Sequence, residues 1–201
     1  MNNYAAALLK PSASVGGQRI GRAGGMPGCE VKTMLGELLA AWCRNGYNIV
    51  EFDPGWPSPC CTGEPDAEGM IRWLPVEMDR PEPLAAVEAA FAESGLLLHP
   101  DAAAFYGGFW SGPVESEHSG EEVMLNTVWN EAQLATTTAS LVMGVRLQAR
   151  SMQTITVPIG GTGSDLFFAL DNTTGEILLQ EVGSPPLQVV APSLAAFLDE
   201  L

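Results

Sequence analysis

The stretch "QTITVPIGGTGSDLFFALDNTTGEILLQEV", residues 153–182, limits what this chain can fold into more than any other. It contains three extended apolar runs, "QTITVPIG", "DLFFALD" and "EILLQEV", separated by the turn segments "GTGS" and "NTTG". Connections this short leave no room for a crossover, so successive strands must return antiparallel to one another. A closing helix follows. Ser193 stands where a cap belongs, and Leu194, Phe197, Leu198 and Leu201 fall at the spacing of one helical face.

The rest of the chain supplies further helices and strands. Met34, Leu35, Leu38, Leu39, Trp42 and Cys43 form one stripe of a helix from about Met34 to Arg44, stopped by Asn45-Gly46. "YNIVEFDP" reads as extended and "GMIRWLPVE" as a strand, with Ile71 and Trp73 alternating against Met70, Arg72 and Leu74. A second helix is expected from about Pro83 to Ser94, and a short helical turn in "HPDAAAFYGGFW". "EEVMLNTVW" reads as a strand, and Asn130 as the cap of a long helix over Glu131–Arg150 with Leu134, Leu141, Val142 and Val145 inward. Helices grouped apart from sequential, turn-linked strands predict an α+β fold, a single domain with a largely antiparallel sheet flanked by helices. Its expected span is residues 34–201. Residues 1–33, rich in Gly, Ser and Pro and without a periodic apolar face, are expected to be a flexible tail, and Met34 offers an internal start.

Charge narrows the function. The chain has 24 acidic and 9 basic residues, a net charge of −15. Residues 51–122 alone hold 15 acids against Arg72 and Arg80. A field of that sign repels nucleic acid and anionic lipid and attracts basic partners. No stretch reaches the ~18 consecutive apolar residues of a membrane span, and "YAAALLK" lacks the flanks of a secretory signal. The candidate partner-binding residues, chosen by charge density, are Glu64, Asp66, Glu68, Glu77, Asp79, Glu115, Glu117, Glu121 and Glu122.

Catalytic constellations are not found. The adjacent Cys60 and Cys61 in "GWPSPCCTG" lack the spacing that zinc ligands use, and no C-x-x-C pair exists. "GGTGSD" at 160–165 is followed by a strand rather than a helix, and it carries no lysine, so it reads as a hairpin connection and not a phosphate cradle. His118 in "ESEHSGEE" reads as a solvated loop histidine, because a polar glycine-containing loop would not hold it against Ser116 or Ser119. The paired carboxylates lie in no apolar setting that would shift their protonation. The expectation is a protein with no enzymatic activity, no metal and no cofactor.

The order of several motifs resembles the bacterial Syd family, the SecY-interacting proteins. "GWPSPCC", a short acidic stretch and "IRWLPVE" are followed by "AVEAAF", "FYGGFW" and "TVWNEAQL" in that family's order. The tail "VPIGGTGSDLFFALDNTTGEILLQEV" and "PSLAAFLDEL" is similar to the wider SUKH superfamily, and the likeness runs from about Leu35 to Leu201. The resemblance implies a SUKH/Syd-like fold and an architectural "WPSPC" elbow. It also implies a protein that binds the basic cytosolic loops of SecY through an acidic concave surface and monitors or regulates assembly of the export channel. Its place would be the cytoplasm, peripheral on the cytoplasmic side of the inner membrane through SecY, as a monomer or weak oligomer. The runner-up is a SUKH-type immunity protein that neutralises a basic nuclease toxin. A small hydrolase or metal-dependent enzyme is the third reading.

Overall fold

The computed structural model describes residues 28–78, 84–151 and 153–201. The chain begins with helix α1 (Cys29–Arg44), then β1 (Ile49–Glu51), β2 (Cys61–Thr62), β3 (Met70–Trp73) and β4 (Val76–Glu77). Helices α2 (Ala85–Glu93) and α3 (Pro100–Gly108) lead to β5 (Phe109–Trp110) and the hairpin β6 (Glu115–His118) and β7 (Glu121–Leu125). Helix α4 (Glu131–Arg150) precedes β8 (Thr156–Gly161), β9 (Leu166–Asp171), β10 (Ile177–Glu181), β11 (Gln188–Ala191) and the closing α5 (Leu194–Asp199).

The expected α+β architecture with antiparallel pairing is the one observed. Six strands follow one another in the order β11-β10-β9-β8-β7-β6, every neighbour antiparallel. Two smaller sheets, β1-β3-β2 and β4-β5, stand beside it. The run read as a single strand through "GMIRWLPVE" is divided between β3 and β4, because Pro75 offers no amide to a ladder. Strand β11 was not anticipated.

Helix α1 starts at Cys29, ahead of the expected Met34, and its buried residues Val31, Leu35 and Leu39 continue one stripe at four-residue spacing. Gly28 precedes it at φ 82° with no side-chain cap, so the sequence carried no capping signal there. Helix α4 has the predicted bounds, and Asn130 Oδ1 accepts from the Gln133 amide as its cap. Ser193 caps α5 in the same way through Ala196 N. Pro83 and residues 1–27 lie outside the described residues.

One core joins these elements. Leu35 and Leu39 of α1, Phe91 of α2, Phe105 and Tyr106 of α3, Leu141 and Val145 of α4, Ile177 of β10 and Phe197 of α5 all belong to it. Close approach requires glycine at positions 160 and 112, among others. A Cβ on Gly160 would sit 2.9 Å from the Met124 carbonyl oxygen, where β7 crosses onto β8 beside a bulge between Pro158 and Gly160. A Cβ on Gly112 would sit 2.4 Å from the indole of the fully buried Trp73.

Candidate partner-binding surface

The candidate acids fall on three separate elements. Glu64, Asp66 and Glu68 lie in the exposed turn between β2 and β3. Asp66 Oδ1 accepts from the amides of Glu68 and Met70 at 3.1 and 2.8 Å, so this carboxylate is partly occupied in forming the turn. Glu77, on β4, forms an ion pair with Lys32 of α1, which neutralises it in place. Asp79 lies outside the described residues.

The third element is the β6–β7 hairpin, and it corrects the loop assigned to "ESEHSGEE". Ser119 and Gly120 form its turn with φ of 54° and 86°, the left-handed geometry that a two-residue hairpin turn demands. The register pairs Glu115 with Met124, Ser116 with Val123, Glu117 with Glu122 and His118 with Glu121. Strand alternation then sends Glu115, Glu117, Glu122 and Met124 to one, exposed face. Glu117 and Glu122 stand directly opposite each other, a like-charge cross-strand pair that costs stability. Glu121 falls with His118 on the other face.

His118 is therefore not a solvated loop residue. It is 7% exposed and packs against Phe168 and Phe197, with centroid separations of 6.3 and 5.2 Å. Its Nδ1 is 3.4 Å from the Glu200 carboxylate. Ser116 Oγ donates to the Leu201 carbonyl beside it, so β6 is tied to the end of α5. Glu77 and Glu93 form ion pairs with Lys32 and Arg146, and Asp101 and Glu200 each face a histidine; among the described residues, none of the hairpin's own glutamates enters such a contact.

The "GWPSPCC" segment, expected to be an elbow between the first helix and the sheet, is also a fastening point. Trp129 Nε1 donates to the Trp56 carbonyl at 2.9 Å, and Asn130 Nδ2 to the Pro57 carbonyl at 2.9 Å. Ser58 Oγ donates to the Trp129 carbonyl and accepts from Cys60 N at 3.1 Å. The elbow is thereby laced to the chain that enters α4. Cys60 is fully buried, and its thiol is pushed up to about 11 by burial, which outweighs the opposing hydrogen bond from Ser58. Burial raises Cys43 as well. A thiol held protonated is neither a good nucleophile nor a ready metal ligand. No group of three His, Cys, Asp or Glu side chains among the described residues could hold a metal ion, and no described helix is long and apolar enough to cross a membrane.

Comparison with known proteins agrees with this architecture. A family model described as Syd protein (SUKH-2) matches residues 29–201. That places the α+β domain among SUKH-2 proteins as a class. The chain belongs to the Syd protein family. It is 32% identical over 155 residues to Protein Syd of Pseudoalteromonas atlantica, covering 76% of this chain and 82% of that one. Protein Syd of Aeromonas hydrophila is 32% identical over 178 residues, 86% of this chain and 96% of its own. The Hahella chejuensis Protein Syd is 32% identical over 184 residues, with 86% and 93% covered.

Proposed function

We propose that this chain is a non-enzymatic Syd-type protein that binds the basic cytosolic loops of the SecY export channel and regulates or monitors assembly of the translocon. In this reading it works in the cytoplasm, at the cytoplasmic side of the inner membrane, and reaches that membrane through SecY rather than through a segment of its own. Membership of the Syd family supports the reading, and one observation carries it to particular residues. Glu115, Glu117 and Glu122 share an exposed face, two of them directly opposed. Their mutual repulsion weakens the hairpin in isolation and is relieved when a cationic polypeptide lies across it. The turn acids Glu64, Asp66 and Glu68, together with Asp79 and Glu121, are secondary contacts in this proposal, and Glu77 contributes least because Lys32 already pairs with it.

The test is binding of the full chain to peptides of the SecY cytosolic loops at low and high salt. The triple variant Glu115→Lys, Glu117→Lys, Glu122→Lys is expected to lose at least tenfold in affinity, while wild-type binding weakens as salt rises. Loops that bind the triple variant as tightly as the wild type, or more tightly in high salt, would overturn the proposal.

A further inference from the structure

Between helix α4 and the start of β8 lies a groove of about 320 Å³. Part of its lining is apolar, with the buried Phe91, Leu141, Val145 and Val157. Hydroxyls and carboxamides supply most of the rest. None of the lining residues carries a charge, in a chain whose net charge is −15. Several of the hydroxyl protons are already used. Thr127 Oγ1 donates to the Gly112 carbonyl at 2.9 Å, Thr136 Oγ1 to the Ala132 carbonyl at 3.1 Å and Ser140 Oγ to the Thr136 carbonyl at 3.0 Å. Each of these oxygens keeps lone pairs with which to accept. Gln133 Nε2 donates to the Thr127 carbonyl at 3.4 Å and Gln148 Nε2 to Thr156 Oγ1 at 3.0 Å, and each carboxamide has a second N–H to give.

Gly144 is a second, independent sign. It lies inside the 20-residue α4, where glycine weakens a helix. The fold itself does not ask for it: the backbone there has no positive φ, and a Cβ would meet no atom within 4 Å outside its own turn of helix. What the missing side chain leaves is room in the groove that Gly144 lines. We infer that this groove binds an uncharged polyol, a neutral sugar or sugar alcohol. Oxygens that have given up their protons call for a ligand with several O–H donors, and the two carboxamides meet that ligand's own oxygens. The apolar lining takes its C–H face. A cation would lose water here with no lining carboxylate to pair with it, and an anion is repelled by the charge of the whole chain. The inference goes beyond the proposed function and does not depend on SecY.

The experiment uses the full chain labelled with ¹⁵N and follows the side-chain amide signals of Gln133 and Gln148. It is titrated with methyl glucoside, maltose and mannitol, each to about 50 mM, some fiftyfold above a Kd of ~1 mM. Glucosamine, glucose 6-phosphate and a fully O-methylated glucoside are the controls, the last keeping the ring but unable to donate. At least one of the three neutral polyols is expected to move both amide signals saturably, and the controls to bind at least tenfold more weakly than it. Gly144→Leu, which fills the groove, is expected to weaken that polyol at least tenfold. Gly144→Ala is expected to weaken it less and to raise the melting temperature, since alanine suits a helix interior better than glycine. Thr136→Val with Ser140→Ala removes two acceptors whose own bonds stay within α4, and a loss of roughly five- to tenfold is expected.

Amide signals that stay in place with all three polyols would overturn the inference. So would a methylated glucoside that binds as well as its parent, which would make the groove an apolar site. Tighter binding of glucosamine or glucose 6-phosphate would assign the attraction to charge and overturn it too. Wild-type affinity in a folded Gly144→Leu would place the ligand elsewhere, with the melting temperature of each variant showing that the fold is intact. The groove and the SecY proposal fail separately, because the polyol titration contains no SecY peptide and the SecY titration contains no polyol.

Discussion

Trp73 and Gly112 show how little slack single positions have. The indole of Trp73 is fully buried, and a methyl group on Gly112 would enter it at 2.4 Å. Gly112→Ala is therefore expected to destabilise the fold by about 1–3 kcal/mol, the usual cost of overpacking, read from the midpoint of urea unfolding. Cys60 makes a second prediction at this scale. Its thiol moves from an ordinary 9.0 to about 11 on folding. Between those values the unfolded chain releases the proton and the folded one keeps it. This thiol's contribution is fully present below pH 9 and is lost as pH rises through 11. The melting temperature should fall between pH 8.5 and pH 10.5, on the order of the window those values set, and fall less steeply in Cys60→Ala. Equal slopes in the two proteins would remove Cys60 as the source.

Elements differ in how plainly their residues announced them. Helix α4 was legible to the residue because Asn130 is a strong cap and Leu134, Leu141 and Val145 keep one face. Asn130 does more than the sequence could say, since its Nδ2 also reaches the Pro57 carbonyl of a distant segment. Asn130→Ala should thus cost about 2 kcal/mol, more than the ~1 kcal/mol typical of a lost cap alone, as measured by chemical denaturation. Strand β6 was illegible. Its outward residues are Glu115 and Glu117 and its inward ones Ser116 and His118, so no apolar alternation marks it. Burial of His118 comes from α5, some 80 residues further along, and no local pattern encodes that neighbour. Strand β11 was hidden for a related reason, as its four residues pair with β10 at the sheet's border and Val189 stays exposed. On the hairpin, Glu122→Lys should raise the melting temperature at low salt by replacing repulsion from Glu117 with attraction, a gain of about 0.2–1 kcal/mol. A variant that gains stability while losing affinity for the SecY loops would mark this face as one kept for binding rather than for folding.

At the scale of the whole molecule, the charge pattern and the fold answer different questions. The total of −15 was plain from composition. The division of the candidate acids among a turn, a neutralised strand and a hairpin face was not, because it depends on which strands pair and in what register. The same excess charge makes opposing demands on the chain. Raising salt from about one-hundredth molar to half molar shortens the Debye length from ~30 Å to a few Å. It should increase thermal stability by screening self-repulsion and decrease affinity for a basic partner, two trends of opposite sign in one series of buffers.

The lacing of the elbow has a consequence for how such a protein changes over generations. Trp129 and Asn130 grip main-chain oxygens of residues 56 and 57, and every amino acid brings the same oxygen to that place. The side chain at 56 is thus released from holding the structure together. Drift or selection could exchange it, retuning what the molecule prefers to touch, while the two hydrogen bonds that lace the scaffold stay in place.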